Sequence, residues 1–132
     1  MKNIRNTLLI IVILFSTVFS KQSKGQCIEN TCECVYYSAI QDDTLWVGTK
    51  VGLSKILLLN DSIEFFNSSN SGLPCNYIYT IHIDSIGNKW MGTYYGGLVK
   101  YDGVNWDIIN TGNSGIADND VFTINFDNNN IL

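Results

Sequence analysis

The chain has 132 residues, 45% of them hydrophobic, with twelve Asp and Glu against eight Lys and Arg, a formal net charge of −4. That length suits one domain of ordinary size. The acidic balance excludes a nucleic-acid surface, because phosphates demand clustered Lys and Arg.

Lys2 and Arg5 open the chain, and Leu8 to Phe19 is an apolar run of twelve residues broken only by Ser16 and Thr17. A helix that crosses a bilayer needs about 20 apolar residues. This run is too short, and no stable membrane span is expected. A basic start followed by a short apolar stretch is the pattern of a secretory signal peptide, here residues 1–25. Cleavage fits after Ser20, with Val18 at −3, or after Gly25, with Ser23 at −3. An uncleaved N-terminal anchor is the competing reading. A lipoprotein site at Cys27 fits poorly, since Lys24 stands where that motif wants Leu. Removal of residues 1–25 takes four of the eight Lys and Arg and none of the acids, leaving a charge of −8. Such a surface fits an exported protein, periplasmic or extracellular.

A cysteine-rich segment, 26–34, follows with Cys27, Cys32 and Cys34, while Cys75 stands alone in a loop before a strand. An exported chain is permitted disulfides. Four cysteines allow three pairings, and the sequence leaves all three open. The spacings, four residues and then one, do not match the CxxC knuckles of zinc sites. Disulfides or free thiols are expected, with no metal and no other cofactor.

From Val35 apolar residues alternate, and Val35, Tyr37 and Ala39 fall on one face. Counted back from two Trp anchors, they match Tyr79, Ile81 and Ile83, which in turn match Phe122, Ile124 and Phe126. The repetition predicts an equivalent first strand in three successive units. Gln41-Asp42-Asp43, and Asp84 to Asn88 in the second unit, supply the residues of a tight hairpin turn. The second strand, Thr44–Thr49 and Asn88–Tyr94, carries Trp46-Val47-Gly48-Thr49 and, 44 residues later, Trp90-Met91-Gly92-Thr93. Its Trp suits the space between packed sheets. Its Gly lets a neighbouring backbone approach closely. A third strand is predicted at Leu53–Leu58 and Leu98–Tyr101, opened by Gly52-Leu53 and Gly97-Leu98. Asn60-Asp61-Ser62 and Asp102-Gly103 then turn the chain into a fourth strand, Ile63–Asn67 and Trp106–Asn110.

The connections, Ser68–Asn76 and Thr111–Asn119, are rich in Asn, Ser and Gly, and the single proline, Pro74, lies in one of them. Asn70-Ser71-Gly72-Leu73 recurs 43 residues later as Asn113-Ser114-Gly115-Ile116. No helix is expected after residue 25. A period of this length with four short strands per unit marks a β-propeller array. The expected fold is therefore all-β, a partial β-propeller of two four-stranded antiparallel blades plus the first strand of a third. Blade 1 covers about 35–67, blade 2 about 78–110, and the start of the third 121–132. The residue that should match Trp90 would be number 133, so the chain is expected to be a fragment of a longer protein. Further blades in the same chain, or self-association, are expected to complete it.

The pattern Leu73-Pro74-x-Asn76 … Ile81-x-x-Asp84-x-x-Gly87-Asn88-x-Trp90-x-Gly92-Thr93 … Gly97-Leu98-x-x-Tyr101-Asp102-Gly103 closely resembles the two-component-regulator propeller repeat. Leu45-Trp46-Val47-Gly48-Thr49 … Gly52-Leu53 resembles it more loosely, and the resemblance covers about 35–132. It implies exported propellers or periplasmic sensor regions of hybrid histidine kinases, which take carbohydrate or similar ligands. It marks an architecture rather than a catalytic activity. Structural repeat anchors are expected at Trp46, Gly48, Thr49, Gly52, Leu53, Asp84, Gly87, Trp90, Gly92, Thr93, Gly97, Leu98, Asp102, Gly103 and Asp127. The string Asp84-x-x-Gly87-x-x-Trp90 is similar to the Asp-box of sialidase-like propellers. It has one extra residue between Asp and Gly, and reads as a structural turn.

Candidate chemistry is thin. His82, the single histidine, has no acid or nucleophile beside it in motif geometry, and a packed histidine is the expectation. Asp118, Asp120 and Asp127 with Asn128–Asn130 could offer oxygen ligands to Ca²⁺, without the spacing of a known calcium loop. Tyr94-Tyr95 with Trp106 form a candidate aromatic platform, unless they fill the space between blades. The expected function is a non-enzymatic exported recognition module for a glycan or protein. A periplasmic sensor region of a hybrid two-component kinase is the alternative. A propeller lyase or glycosidase is the second, and among unique polar residues only His82 and Lys89 qualify for it.

Overall fold

The computed structural model describes residues 36–127. The segment expected to be a signal peptide, the cysteine-rich segment, Val35 and residues 128–132 lie outside them. The described residues form eight strands in two antiparallel sheets of four, with no helix. Blade 1 holds β1 (Tyr37–Gln41), β2 (Thr44–Gly48), β3 (Leu53–Leu57) and β4 (Ser62–Phe66). Blade 2 holds β5 (Ile78–Ile83), β6 (Lys89–Thr93), β7 (Leu98–Tyr101) and β8 (Trp106–Ile109). In each sheet the strands pair in chain order, the meander of a propeller blade. All second, third and fourth strands lie within a residue or two of their predicted bounds.

One predicted equivalence is corrected. The Trp count equates Tyr37 with Ile81 and Ala39 with Ile83, but the ladder sets Ala39 opposite Trp46 and His82 opposite Trp90. Ala39 and Trp46 are one residue nearer in sequence than His82 and Trp90, so Ser38 takes the place of Ile81. A slip of one residue turns every side chain to the other face. Ile81, on the strand that packs against blade 1, is fully buried, whereas Ser38 at the same position of blade 1 is exposed. The expected first strand of a third unit, 121–127, carries no ladder among the described residues. It nevertheless starts as β5 does. The Val121 N–H donates to Thr93 O at 3.1 Å, as the Ile78 N–H donates to Thr49 O at 2.9 Å.

The core lies between the blades. Trp46, Leu53, Leu73, Ile78, Ile81, Met91, Val99 and Tyr101 are buried there, with Ala39, Phe66, Ile83 and Trp106 packed on its margin. Trp46 stacks on Phe66 at 6.3 Å and meets Tyr101 of blade 2 edge-on at 6.1 Å. Tyr101 stacks on Trp106 at 4.1 Å. The Lys89 ammonium covers Trp46 at 4.9 Å and donates to Gly87 O at 2.7 Å.

Gly48 and Gly92 explain the Trp-x-Gly-Thr motif. A Cβ on Gly92 would lie 2.2 Å from Val121 O, and one on Gly48 would lie 2.7 Å from the Ile78 side chain. Each incoming first segment therefore rests on the glycine of the preceding blade. The next residue, Thr49 or Thr93, closes the loop by donating its hydroxyl to Gly52 O at 2.9 Å or Gly97 O at 2.8 Å. Both acceptor glycines have positive φ, +144° and +85°, which favours Gly.

The connections repeat their hydrogen bonds as well as their sequence. Asn70 accepts from the Asn67 N–H and donates to Phe65 O, while Ser71 donates to Asn67 O and Asn76 accepts from the Ser68 N–H. Asn113, Ser114 and Asn119 make the same four bonds around Asn110 and Thr111. A loop whose backbone donors are met by its own side chains holds its shape without strand pairing.

Gly92→Ala should lower stability by about 1–3 kcal/mol, because the neighbour it meets is backbone. Gly115→Ala, with nothing near its Cβ position, should change it far less. Denaturant midpoints of the two variants check the contrast.

Candidate functional site

Asp84 shows what the repeat acids do. Its carboxylate accepts from the Trp90 indole at 2.9 Å, the Asn88 amide at 2.7 Å, and the backbone N–H groups of Asn88 and Ile86. Burial pushes its pKa up, but these donors outweigh it and hold the group below the usual carboxylate value. Asp102 is held at about 2 by the backbone and side chain of Asn105 and by the Val104 N–H. In blade 1 Gln41 takes the place of Asp84 after the first strand, and the buried indole nitrogen of Trp46 has no hydrogen-bond partner. Asp127 is the last described residue and is exposed. Asp84→Ala should cost about 1–3 kcal/mol by stranding the Trp90 indole. With folded pKa values below the unfolded ones, the Asp84 and Asp102 contributions are present above pH 4 and vanish as pH falls through the folded values. An acid unfolding series on wild type and Asp84→Ala reads both effects.

His82 lies between the rings of Tyr37, at 5.3 Å, and Phe126, at 6.4 Å. It is a packed histidine, as its neighbours in sequence implied. Asp118 accepts from the Asp120 N–H, and Asp120 from the Tyr95 N–H, so both cap backbone donors. Among the described residues no group of three or more His, Cys, Asp or Glu is gathered around a common point. Cys75 is half-buried and accepts from the Tyr77 N–H at 3.4 Å. The other three cysteines, and hence the pairing, lie outside the described residues.

The predicted aromatic platform comes apart. Trp106 belongs to the aromatic cluster between the blades, against Phe66 at 5.7 Å and Tyr101. Tyr94 and Tyr95 join a different group. In a four-stranded meander the segment before the first strand and the connection from second to third strand meet at one end. That end gathers Tyr36 and Tyr77 from before the first strands, Tyr79 at the start of β5, and Tyr94 and Tyr95 after β6. Five of the seven tyrosines meet here. Their ring centroids run from Tyr36 to Tyr77 at 5.2 Å, to Tyr79 at 4.9 Å, to Tyr94 at 5.9 Å and to Tyr95 at 3.9 Å. Phe122 adds a ring 4.7 Å from Tyr79.

Polar groups hold this patch in place. The Tyr36 and Tyr77 hydroxyls share a hydrogen bond of 2.7 Å, and the Lys50 ammonium lies 5.6 Å from both ring centroids. Tyr95 is 66% exposed with φ +59°, a left-handed conformation rare for an aromatic residue, and Asp120 fixes its N–H at 2.6 Å. Strain of this kind concentrates at functional sites. A hydrogen bond to Tyr95, burial and nearby Asp120 raise the Tyr94 pKa to about 12. The bond to Tyr36 raises that of Tyr77, and burial that of Tyr79. The Tyr77, Tyr79 and Tyr94 phenols therefore stay neutral hydrogen-bond donors well above neutral pH. Tyr94 should be among the last tyrosines to ionise. Its contribution to stability is present below pH 10 and falls away between pH 10 and about 12. A tyrosinate absorbance titration of wild type and Tyr94→Phe checks it, the variant losing the ionisation near pH 12.

Sequence reading found two of these rings, placed Tyr79 only on a first strand and Asp120 only as a calcium candidate, and missed Tyr36, Tyr77 and Lys50. The one available signal was the loop between Thr and Gly, which differs in length between units: Thr49 to Gly52 against Thr93 to Gly97. Per-repeat insertions tend to map to one face of an array.

No helix among the described residues is long and apolar enough to cross a membrane. No protein-family model matches the chain, and no curated protein does. Solved structures do. One is the extracellular domain of BT4673 from B. thetaiotaomicron, named as a candidate one component system, at 32% identity and TM-score 0.55. It matches over 64% of this chain and 12% of its own. A second structure of a BT4673 extracellular domain, there named as a candidate hybrid two component system, gives 34% identity and TM-score 0.50 over 58% and 10%. The extracellular domain of BT3049, a candidate hybrid two component system from the same organism, gives 28% and 0.51 over 67% and 13%. The chain spans about an eighth of the length of these structures. At the level of fold it is similar to one stretch of such extracellular domains, which supports the propeller resemblance read from its repeats.

Proposed function

We propose that the chain is part of an exported, non-catalytic β-propeller recognition module that takes a glycan or protein ligand at its tyrosine-lined end. The observation that carries this reading is Tyr95, an exposed aromatic side chain on a strained backbone anchored by Asp120. Tyrosine combines a large rigid ring with a hydroxyl, which suits contact surfaces at low entropy cost. The repeated residues are taken up by turns and blade contacts in both units, so Tyr94 and Tyr95, where blade 1 has Lys50 and Val51, are what remains for recognition.

The structural neighbours favour one form of this reading. They are extracellular domains of candidate hybrid two component systems, so the module would serve as a sensor's input region, with further blades in the same chain or a second copy completing it. Binding of the whole protein to a panel of polysaccharide digests is the test. Wild type should bind at least one digest, and Tyr95→Asn, which tolerates the left-handed backbone, should lose binding while its melting temperature stays unchanged. Absence of binding across the panel and to extracellular protein extracts counts against recognition at this end. New reducing ends or unsaturated products would overturn the non-catalytic part.

A further inference from the structure

The end of the blades opposite the tyrosines is made of four hairpin turns, 42–43, 58–61, 84–88 and 102–105. Three of them carry an aliphatic side chain, Leu59, Ile86 and Val104, each 82% exposed. The turns do not require these side chains. The Ile86 N–H donates to the Asp84 carboxylate and the Val104 N–H to that of Asp102, bonds that any residue except proline would make. Turns favour Gly, Asn, Asp and Ser, whereas Ile and Val belong in strands. An exposed aliphatic residue standing singly is ordinary. These three share one end. Ile86 and Val104 sit on turns two strand spacings apart, about 10 Å, and Leu59 and Val104 on corresponding turns of two packed sheets, also about 10 Å.

The charge around them has one sign. The four turns hold Asp42, Asp43, Asp61, Asp84 and Asp102. Asp102 is held at about 2 and Asp84 below the usual carboxylate value, so both are ionised at neutral pH. Among the described residues one lysine, Lys89, lies at this end, and it is buried with its ammonium on Gly87 O.

We propose that this end docks a second protein, one whose contact surface sets apolar side chains among Lys or Arg. The three aliphatic side chains supply the area removed from water, and the acids select the sign of the partner. Hydrogen bonds from Asn105, Val104, Asn88 and Ile86 to the two ionised acids already fix the blade 2 turns, so little ordering is left to lose on docking. A second copy would set the same acids against each other, and an anionic lipid surface would be repelled in the same way. The proposal is independent of recognition at the tyrosine end, which lies at the other end of the strands.

The test is selection from a random peptide library on the full chain, and on a variant combining Leu59→Ser, Ile86→Ser and Val104→Ser. Exposed turn positions tolerate such changes, which equal melting temperatures check; if the combined variant melts early, the three single variants are read in its place. Peptides retained by wild type and lost from the variant should carry Lys or Arg beside apolar residues. Once synthesised, they should bind the combined variant at least roughly tenfold more weakly. Asp42→Asn with Asp43→Asn should weaken them roughly twofold to fivefold and flatten the salt dependence. Failure to find any peptide that depends on the aliphatic side chains, or peptides that do so but are acidic or uncharged, overturns the proposal. Binding to phosphatidylglycerol vesicles, or self-association in sedimentation, that vanishes in the variant assigns the surface to a membrane or to a second copy and overturns it as well.

Discussion

Everything in this structure depends on the passage of one blade's first segment over the second strand of the blade before it. Gly48 gives Ile78 room, and Thr49 O takes the Ile78 N–H at 2.9 Å; Gly92 and Thr93 do the same for Val121. A side chain at either glycine would push the incoming segment away and open the core behind it. That core is the interface itself, since Trp46, Phe66 and Tyr101 bury their rings between sheets rather than within one. Repeat arrays are stabilised by neighbours in this way.

The polar side chains complete the frame. Short connections leave many backbone groups without a ladder partner, and each unpaired buried group is costly. Asn67, Asn70, Ser71 and Asn76 meet that need in one connection, and Asn110, Asn113, Ser114 and Asn119 in the next. Asp84 does the same for its turn and also holds the Trp90 indole. The two units are not identical in this respect. Trp46 lacks the acid and is instead covered by the Lys89 ammonium of the next blade.

In the proposed reading, recognition and scaffold fall to different residues. The repeated Trp, Gly, Thr, Asp and Asn are absorbed by packing, close approach and turn bonding. The tyrosine end combines aromatic residues at a repeated position, Tyr36, Tyr79 and Phe122, with Tyr94 and Tyr95 where the units differ, and has Lys50 at one flank and Asp120 at the other. Such a division would let ligand preference change without disturbing the blades. It also explains why motif reading reaches the frame readily and the site only in part. Tyr94 and Tyr95 are adjacent and conspicuous, whereas Tyr36 and Tyr77 lie 41 residues apart and share a hydrogen bond only after two blades have stacked.

The all-β class, the order of four strands in each of two units and the places of the turns were determined by the sequence alone. Alternation and turn residues are local properties, and a repeat displays each of them twice. Register in the first blade was not, because counting from Trp46 is blind to a turn one residue shorter than its counterpart. The tertiary structure also decided that Trp106 is core and that five tyrosines converge on one end. These facts depend on which side chains of separate units come together when the sheets twist and stack. Periodicity says which face a residue occupies, and only packing says what that face meets.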